Sequence, residues 1–311
     1  MRKWQIPVGL LAAGVTVVSL NVTSGASAPT PGTATQILAL VAAAKNITTL
    51  PSATAAALPS AAGDFSFSNY PVLNTVSPST CLTATACVYG DTGSTKTVVM
   101  FGDSHALMWL PAVVPVAQAH HERVVLLWQG ACPPGNVSVY LPQFHYPAIC
   151  NAFRSSAISI IKALKPISVL LVGASSEVQS AAGKFFTDAQ WKAGLISTIK
   201  KLATTTTKIA VIEDNVTFNL FMPACLDSYP SSVQSCSVQF PNPTHRGLQK
   251  GEKDAATATK SLYVKTQQWL CTTVCSSVIG TFIPYIDNNH ISFTYARYLS
   301  TVMGNELKPL V

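Results

Sequence analysis

From residue 96 onward the sequence alternates short runs rich in β-branched residues with longer amphipathic stretches, and this alternation most narrows the folds open to the chain. The strand candidates are TVVMF (97–101), RVVLLW (123–128), ISVLLV (167–172), KIAVIE (208–213) and VIGTFI (278–283). Runs that are apolar at consecutive positions suit strands buried on both faces, and helix-length connections between them suit parallel neighbours. Helix candidates lie near 105–121, 151–164, 188–203 and 253–271, with a last one at about 292–303. The expected fold is a three-layer α/β/α sandwich around a five-stranded, mainly parallel, doubly wound sheet. Its ligands belong at the carboxyl ends of the strands.

Ahead of this region the chain changes character. Met1-Arg2-Lys3-Trp4 precedes the apolar run IPVGLLAAGVTVVSL and then Ala26-Ser27-Ala28. That order reads as a secretory signal over 1–28, cleaved after Ala28. An uncleaved N-terminal membrane anchor is the alternative, because 6–22 approaches spanning length. Either way the expected location is secreted or cell-surface. Residues 29–79 are rich in Ala, Thr and Pro and read as a linker or a segment that packs on the main domain, with a short helix around 36–45. The main domain is expected over 80–311, and 48% hydrophobic against 11% charged residues gives it material for a sizeable core.

Eight cysteines in an exported chain point to disulfides. Neighbour pairing joins Cys81 to Cys87, Cys132 to Cys150, Cys225 to Cys236 and Cys271 to Cys275, although spacing alone does not settle connectivity. The C-x3-C of Cys271 and Cys275 has no partner at zinc spacing, so no metal is expected. The net charge of +7 is spread rather than clustered, which gives nucleic-acid binding little support. N-x-[ST] triplets occur at Asn21, Asn46, Asn136 and Asn215. The chain carries no Walker or dinucleotide fingerprint and no G-x-S-x-G elbow.

Where the first strand hands over to a helix, the sequence reads VVMFGDSHALMW (98–109). Turn chemistry alone would account for it, since Gly102 tolerates a tight turn and Asp103 or Ser104 can cap a helix. A nucleophile is the sharper reading, with Ser104 at a helix N-terminus whose free amides favour negative charge. A serine needs a base and the base an orienting acceptor. Of six histidines, His120 and His121 close a helix, His145 lies between Cys132 and Cys150, and His245 lies in a Pro-rich loop. His105 and His290 remain. In YIDNNHISFTYARYLS (285–300), Asp287 stands three residues before His290, a spacing that lets the carboxylate accept from one ring nitrogen while the other faces outward. Ser292 is placed to cap the last helix.

GDSHA after the first strand together with DNNHIS before the last helix resembles the SGNH/GDSL hydrolase superfamily. More narrowly it resembles the extracytoplasmic SGNH domain fused to acyltransferase-3 proteins that O-acetylate surface polysaccharides. The continuation WLP (109–111), CPP (132–134), Cys150 and FTYARYL (293–299) fit that group, over roughly 80–305. The resemblance implies Ser104 as nucleophile, His290 as general base and Asp287 as its orienting partner. It implies an oxyanion hole from the amides of Ser104 and Gly130. The family's asparagine after the third strand has no counterpart in VGASSEV (172–178), where Ser175 or Ser176 is the candidate replacement. Asp103 and His105 are candidates for support.

The implied activity is that of a serine esterase or O-acyltransferase working through an acyl-serine, without a cofactor. Its substrate would be an O-acylated, in first place O-acetylated, carbohydrate or cell-wall polymer, and it would either partner a separate membrane acyltransferase or work alone as an esterase. The rival from another class is a catalytically weak or inactive module of the same fold that binds surface glycan.

Overall fold

In the computed structural model, six strands make the central sheet: β1 (Val88–Gly90), β2 (Thr97–Gly102), β3 (Arg123–Trp128), β4 (Ser168–Val172), β5 (Ile209–Ile212) and β6 (Leu262–Val264). Their spatial order is β1-β3-β2-β4-β5-β6. Every pair is parallel except β1 with β3. The structure describes residues 29–310 apart from 66–80, 83, 84, 86, 141–147, 177, 181, 204–207 and 243–246. The expected signal or anchor over 1–28, His145 and His245 lie outside the described residues.

The sandwich follows from strands that are buried on both faces. Val98 and Met100 of β2 enter one core, with Leu126 and Leu170 from its neighbours. Val99 and Phe101 enter the other, with Leu127 and Leu171. The first core is covered by α3 (Ser104–Ala119), α8 (Phe293–Tyr298) and α9 (Ser300–Leu307), the second by α4 (Ala148–Leu164), α5 (Asp188–Leu202) and α7 (Gln249–Thr259). Helix α3 is buried nearly all round, including Leu107, Trp109, Leu110 and Val113, because it lies between the sheet and the C-terminal helices.

Sequence expectations are corrected at three places. Residues 278–283 form a tight turn instead of a strand: Gly280 has φ +60° and Ile279 bridges to Phe282. Their apolar character is explained by burial of Val278 and Ile279 in the first core. The expected helix 253–271 stops at Thr259, where Lys260 takes a left-handed cap (φ 56°), and the chain then forms β6 beside β5. The sheet thus has six strands rather than five, counting the short edge strand β1. The helix expected over 292–303 is divided into α8 and α9 around Leu299, with Ser292 Oγ accepting from the Tyr295 amide at 3.2 Å.

The Ala/Thr/Pro-rich segment carries α1 (Ala34–Ala44), opened by a Thr33–Gln36 capping box, and α2 (Ser52–Ala61). Ile37, Val41 and Ala44 enter the first core. The Gln234 amide donates to the carbonyls of Ala44 and Ile47 at 3.0 and 2.7 Å, and Thr54 Oγ1 donates to the Thr281 carbonyl at 2.9 Å. Near α2 lies α6 (Met222–Ser228). Four disulfides join neighbouring cysteines: Cys81–Cys87, Cys132–Cys150, Cys225–Cys236 and Cys271–Cys275. Among the described residues no helix is long and apolar enough to cross a membrane.

Gly102 closes β2 where it pairs with Val172 of β4. A Cβ there would come within 1.6 Å of the Val172 carbonyl oxygen, so Gly102→Ala must prise the two strands apart. Denaturant unfolding of Gly102→Ala is expected to show a loss of about 3 kcal/mol or more, beyond the ordinary overpacking range.

Candidate active site

The chain leaves β2 for β3 on one side and later returns to β4 on the other, so the carboxyl end of β2 lies at the point where the winding reverses. Asp103, in extended conformation, caps α3 there. Its Oδ1 accepts from the His105 amide at 2.9 Å and its Oδ2 from the Ala174 amide at 2.8 Å, tying the end of β2 to the loop after β4. Ser104 is the first residue of α3, and its N–H has no intrahelical acceptor.

His290 reaches Ser104 from the other end of the sequence. Its loop is closed by the Ile286 amide donating to the His290 carbonyl at 3.0 Å. The loop is also held by the segment after β5: Asn215 Nδ2 donates to the Asn289 carbonyl at 2.6 Å, and the Phe218 amide to the Asn288 carbonyl at 2.7 Å. His290 Nε2 lies 2.8 Å from Ser104 Oγ, and His290 Nδ1 lies 2.7 Å from Asp287 Oδ2. A carboxylate only accepts, so Nδ1 carries the proton and Nε2 is left to accept from the serine hydroxyl. Asp287 Oδ1 takes the amides of Asn289 and His290 at 2.8 and 2.7 Å. Burial by itself would raise the Asp287 pKa, but the His290 ring and these two amides outweigh it and hold the carboxyl below its ordinary range.

Behind this row lies a second, buried one that the sequence reading missed. His105 is 1% exposed, and its Nδ1 lies 2.7 Å from Asp214 Oδ1. Asp214 Oδ2 accepts from both the amide and the hydroxyl of Ser175, at 2.7 and 2.8 Å. The Asp214 amide donates to Glu252 Oε2 at 3.0 Å. The ring centroids of His105 and His290 are 5.3 Å apart, edge to face. Burial pushes the carboxyls of Asp103 and Glu252 upward, and in Glu252 the nearby Asp214 charge adds to the rise. The available signal was Asp214-Asn215 directly after the fourth expected strand, at the sheet edge where α/β sites form. Asn215 had registered only as an N-x-[ST] triplet, and it is fully buried.

The expected oxyanion donors fall differently. Gly130 follows β3, and a Cβ built on it would meet nothing within 4 Å, so its backbone borders open space. Ser175 commits both of its donors to Asp214, while its hydroxyl oxygen accepts from the Leu248 amide at 3.0 Å. Ser176 Oγ pairs with Thr217 Oγ1. Ser175 therefore has no donor left to replace the asparagine that the resemblance implies in this conformation. His120 and His121 are exposed, remote from the row. Among the described residues no group of three or more His, Cys, Asp or Glu is placed to hold a metal ion.

Residues 75–305 match the family model of the SGNH domain fused to AT3 domains. The periplasmic domain of a lipopolysaccharide acetyltransferase from Salmonella ser. Paratyphi A is similar in structure, with a TM-score of 0.58 at 17% identity, covering 77% of this chain and 97% of that one. An acetylxylan esterase from Geobacillus stearothermophilus, as a catalytic mutant, gives 0.46 at 16% identity over 69% of this chain and 95% of that one. A GDSL-like lipase from Parabacteroides merdae gives 0.42 at 12% identity over 72% and 98%. No curated protein matches the chain. With the family model spanning most of its length and this row of side chains at the switch point of its sheet, the chain belongs to the family of SGNH domains found fused to AT3 domains.

Proposed function

We propose that this protein is an extracytoplasmic serine esterase or O-acyltransferase acting on O-acyl, in first place O-acetyl, groups of a carbohydrate or cell-wall polymer. The observation that carries the reading is the continuous row Ser104–His290–Asp287, at 2.8 and 2.7 Å, at the carboxyl end of the switch strand. Serine is a poor nucleophile unless a base takes its proton as it attacks, and His290 Nε2 stands at the distance for that transfer.

In the proposed reaction Ser104 Oγ bonds to the acyl carbonyl carbon while its proton passes to His290 Nε2. Asp287 stabilises the imidazolium and keeps its proton on Nδ1. The amides of Ser104 and Gly130 receive the tetrahedral oxyanion, with the N-terminus of α3 favouring the negative charge. His290 then gives its proton to the alkoxide oxygen of the leaving alcohol, and the C–O ester bond breaks to leave acyl-Ser104. Water or a sugar hydroxyl repeats these steps in reverse, with His290 as base. Hydrolysis and transfer use the same residues, and the choice rests on which hydroxyl reaches the acyl-enzyme first.

The family's fusion to AT3 domains and the lipopolysaccharide acetyltransferase neighbour support the acetyl and carbohydrate parts of the reading. They also support a separate membrane acyltransferase as donor and an extracytoplasmic location, to which four disulfides are suited.

Acetate release from p-nitrophenyl acetate and from an O-acetylated polysaccharide tests the reading. Ser104→Ala is expected to lose about a thousandfold or more in kcat, and Asp287→Asn roughly a thousandfold to ten-thousandfold with the fold intact. Equal rates for wild type and Ser104→Ala would refute it. The lowered Asp287 pKa also fixes a sign. A carboxyl held lower in the folded than in the unfolded chain adds stability above its unfolded pKa, and that stability is lost as pH falls through the folded value. Unfolding free energies measured from neutral pH downward should therefore fall more steeply below about pH 4 in wild type than in Asp287→Asn.

A further inference from the structure

Phe65 is the last described residue of the N-terminal segment before 66–80, and it ends against the proposed base. Its ring centroid lies 5.1 Å from that of His290, tilted by 56°, and 4.8 Å from that of Phe293. The ring is anchored through the residue before it. The Asp64 carbonyl accepts from the Phe293 amide at 2.8 Å, and the Asp64 carboxylate accepts from the amide and hydroxyl of Thr294, the hydroxyl at 3.0 Å. Upstream, the Gly32 amide donates to the Tyr298 carbonyl at 3.0 Å. The segment is therefore strapped to α8, the helix that follows His290, at both ends of its described length.

The chemistry of the row says what must pass beside this ring. Whatever oxygen leaves the acyl carbon has to collect its proton from His290 Nε2, and whatever hydroxyl attacks the acyl-enzyme has to give one up there. The alcohol part of the ester therefore approaches from the histidine side of Ser104, where Phe65 stands half-buried. Leu220 and Phe221 are 43% and 52% exposed. They directly precede Met222, whose amide donates to the Asp287 carbonyl at 3.3 Å. Helix α2 of the strap packs on α6, which begins at that residue. The strap, through Phe65, and the start of α6, through the Met222 amide, both meet the loop that carries Asp287 and His290.

We propose that Phe65 is a specificity-determining residue: its ring forms the alcohol-side wall of the site and packs against the C–H face of the sugar that carries, or accepts, the acyl group. This rests on the catalytic reading above and deepens it by assigning the recognition of the alcohol to a segment that precedes the family-matched region, residues 75–305. The acyl group itself, on the far side of Ser104 Oγ from the histidine, is recognised elsewhere.

The test compares two acetate esters with the full-length chain: an O-acetylated methyl glycoside, which presents a sugar face, and ethyl acetate, which does not. In Phe65→Ala the ratio of kcat/KM for the glycoside over ethyl acetate is expected to fall about tenfold, carried mainly by KM for the glycoside, the size of one lost aromatic contact. Phe65→Tyr, which keeps the ring, is expected to hold the ratio within about twofold. A structural prop would lower both rates in proportion, so an unchanged ratio in Phe65→Ala overturns the proposal while leaving the catalytic reading standing. Absence of Ser104-dependent turnover of either ester by wild type overturns the catalytic reading and this inference with it.

Discussion

A 2.8 Å contact joins two side chains 186 residues apart, Ser104 and His290, and the rest of the molecule is arranged so that it can form. One end is set by β2, whose carboxyl terminus is the switch point of the sheet, and by the immediate start of α3. The other is set by α8 and α9, which pack on the face of α3 away from the sheet and bring the loop before them over the helix N-terminus. Because α3 is buried nearly all round, it cannot roll or shift without opening the first core. The serine is thus held by packing, and the histidine by the hydrogen bonds that Asp287, Asn215 and Phe218 make to its loop.

Charge buried close to that contact is paired at each step. Asp103 holds two amides, from α3 and from the loop after β4, and Asp214 holds His105 and both donors of Ser175. Removing one partner from a buried hydrogen-bonded group typically costs about 1–3 kcal/mol, and more where the group is charged, because what remains has no water to turn to. The second row, His105 with Asp214, therefore reads as the rigid floor on which the Ser104 turn rests. It also accounts for Ser175, a candidate replacement for the missing asparagine, which this chain uses to satisfy Asp214.

Much of this was legible in the sequence, for reasons that are specific to particular stretches. RVVLLW and ISVLLV announced parallel strands because burial on both faces leaves no polar alternation to confuse the reading. Asp287, Ser104 and His290 were legible because a strand-to-helix turn and a D-x-x-H loop each carry their chemistry within a few residues. The rest depends on distant contacts. VIGTFI had a strand's composition, yet its apolar side chains are spent on the core around a Gly280 turn. Strand β6 lay hidden in an expected helix because Lys260, and not glycine, makes the left-handed stop. Asp214 could not be matched to His105 across 109 residues, and nothing local tied Phe65 to a histidine 225 positions further on.

The most direct measurement is acid-quenched peptide mapping by mass spectrometry during turnover of p-nitrophenyl acetate. The account predicts an acetyl group on the peptide holding Ser104, accumulating to near one per chain when His290→Ala blocks deacylation more severely than acylation by this activated ester. Turnover with no acetyl on Ser104, or with the acetyl on another residue, would contradict it.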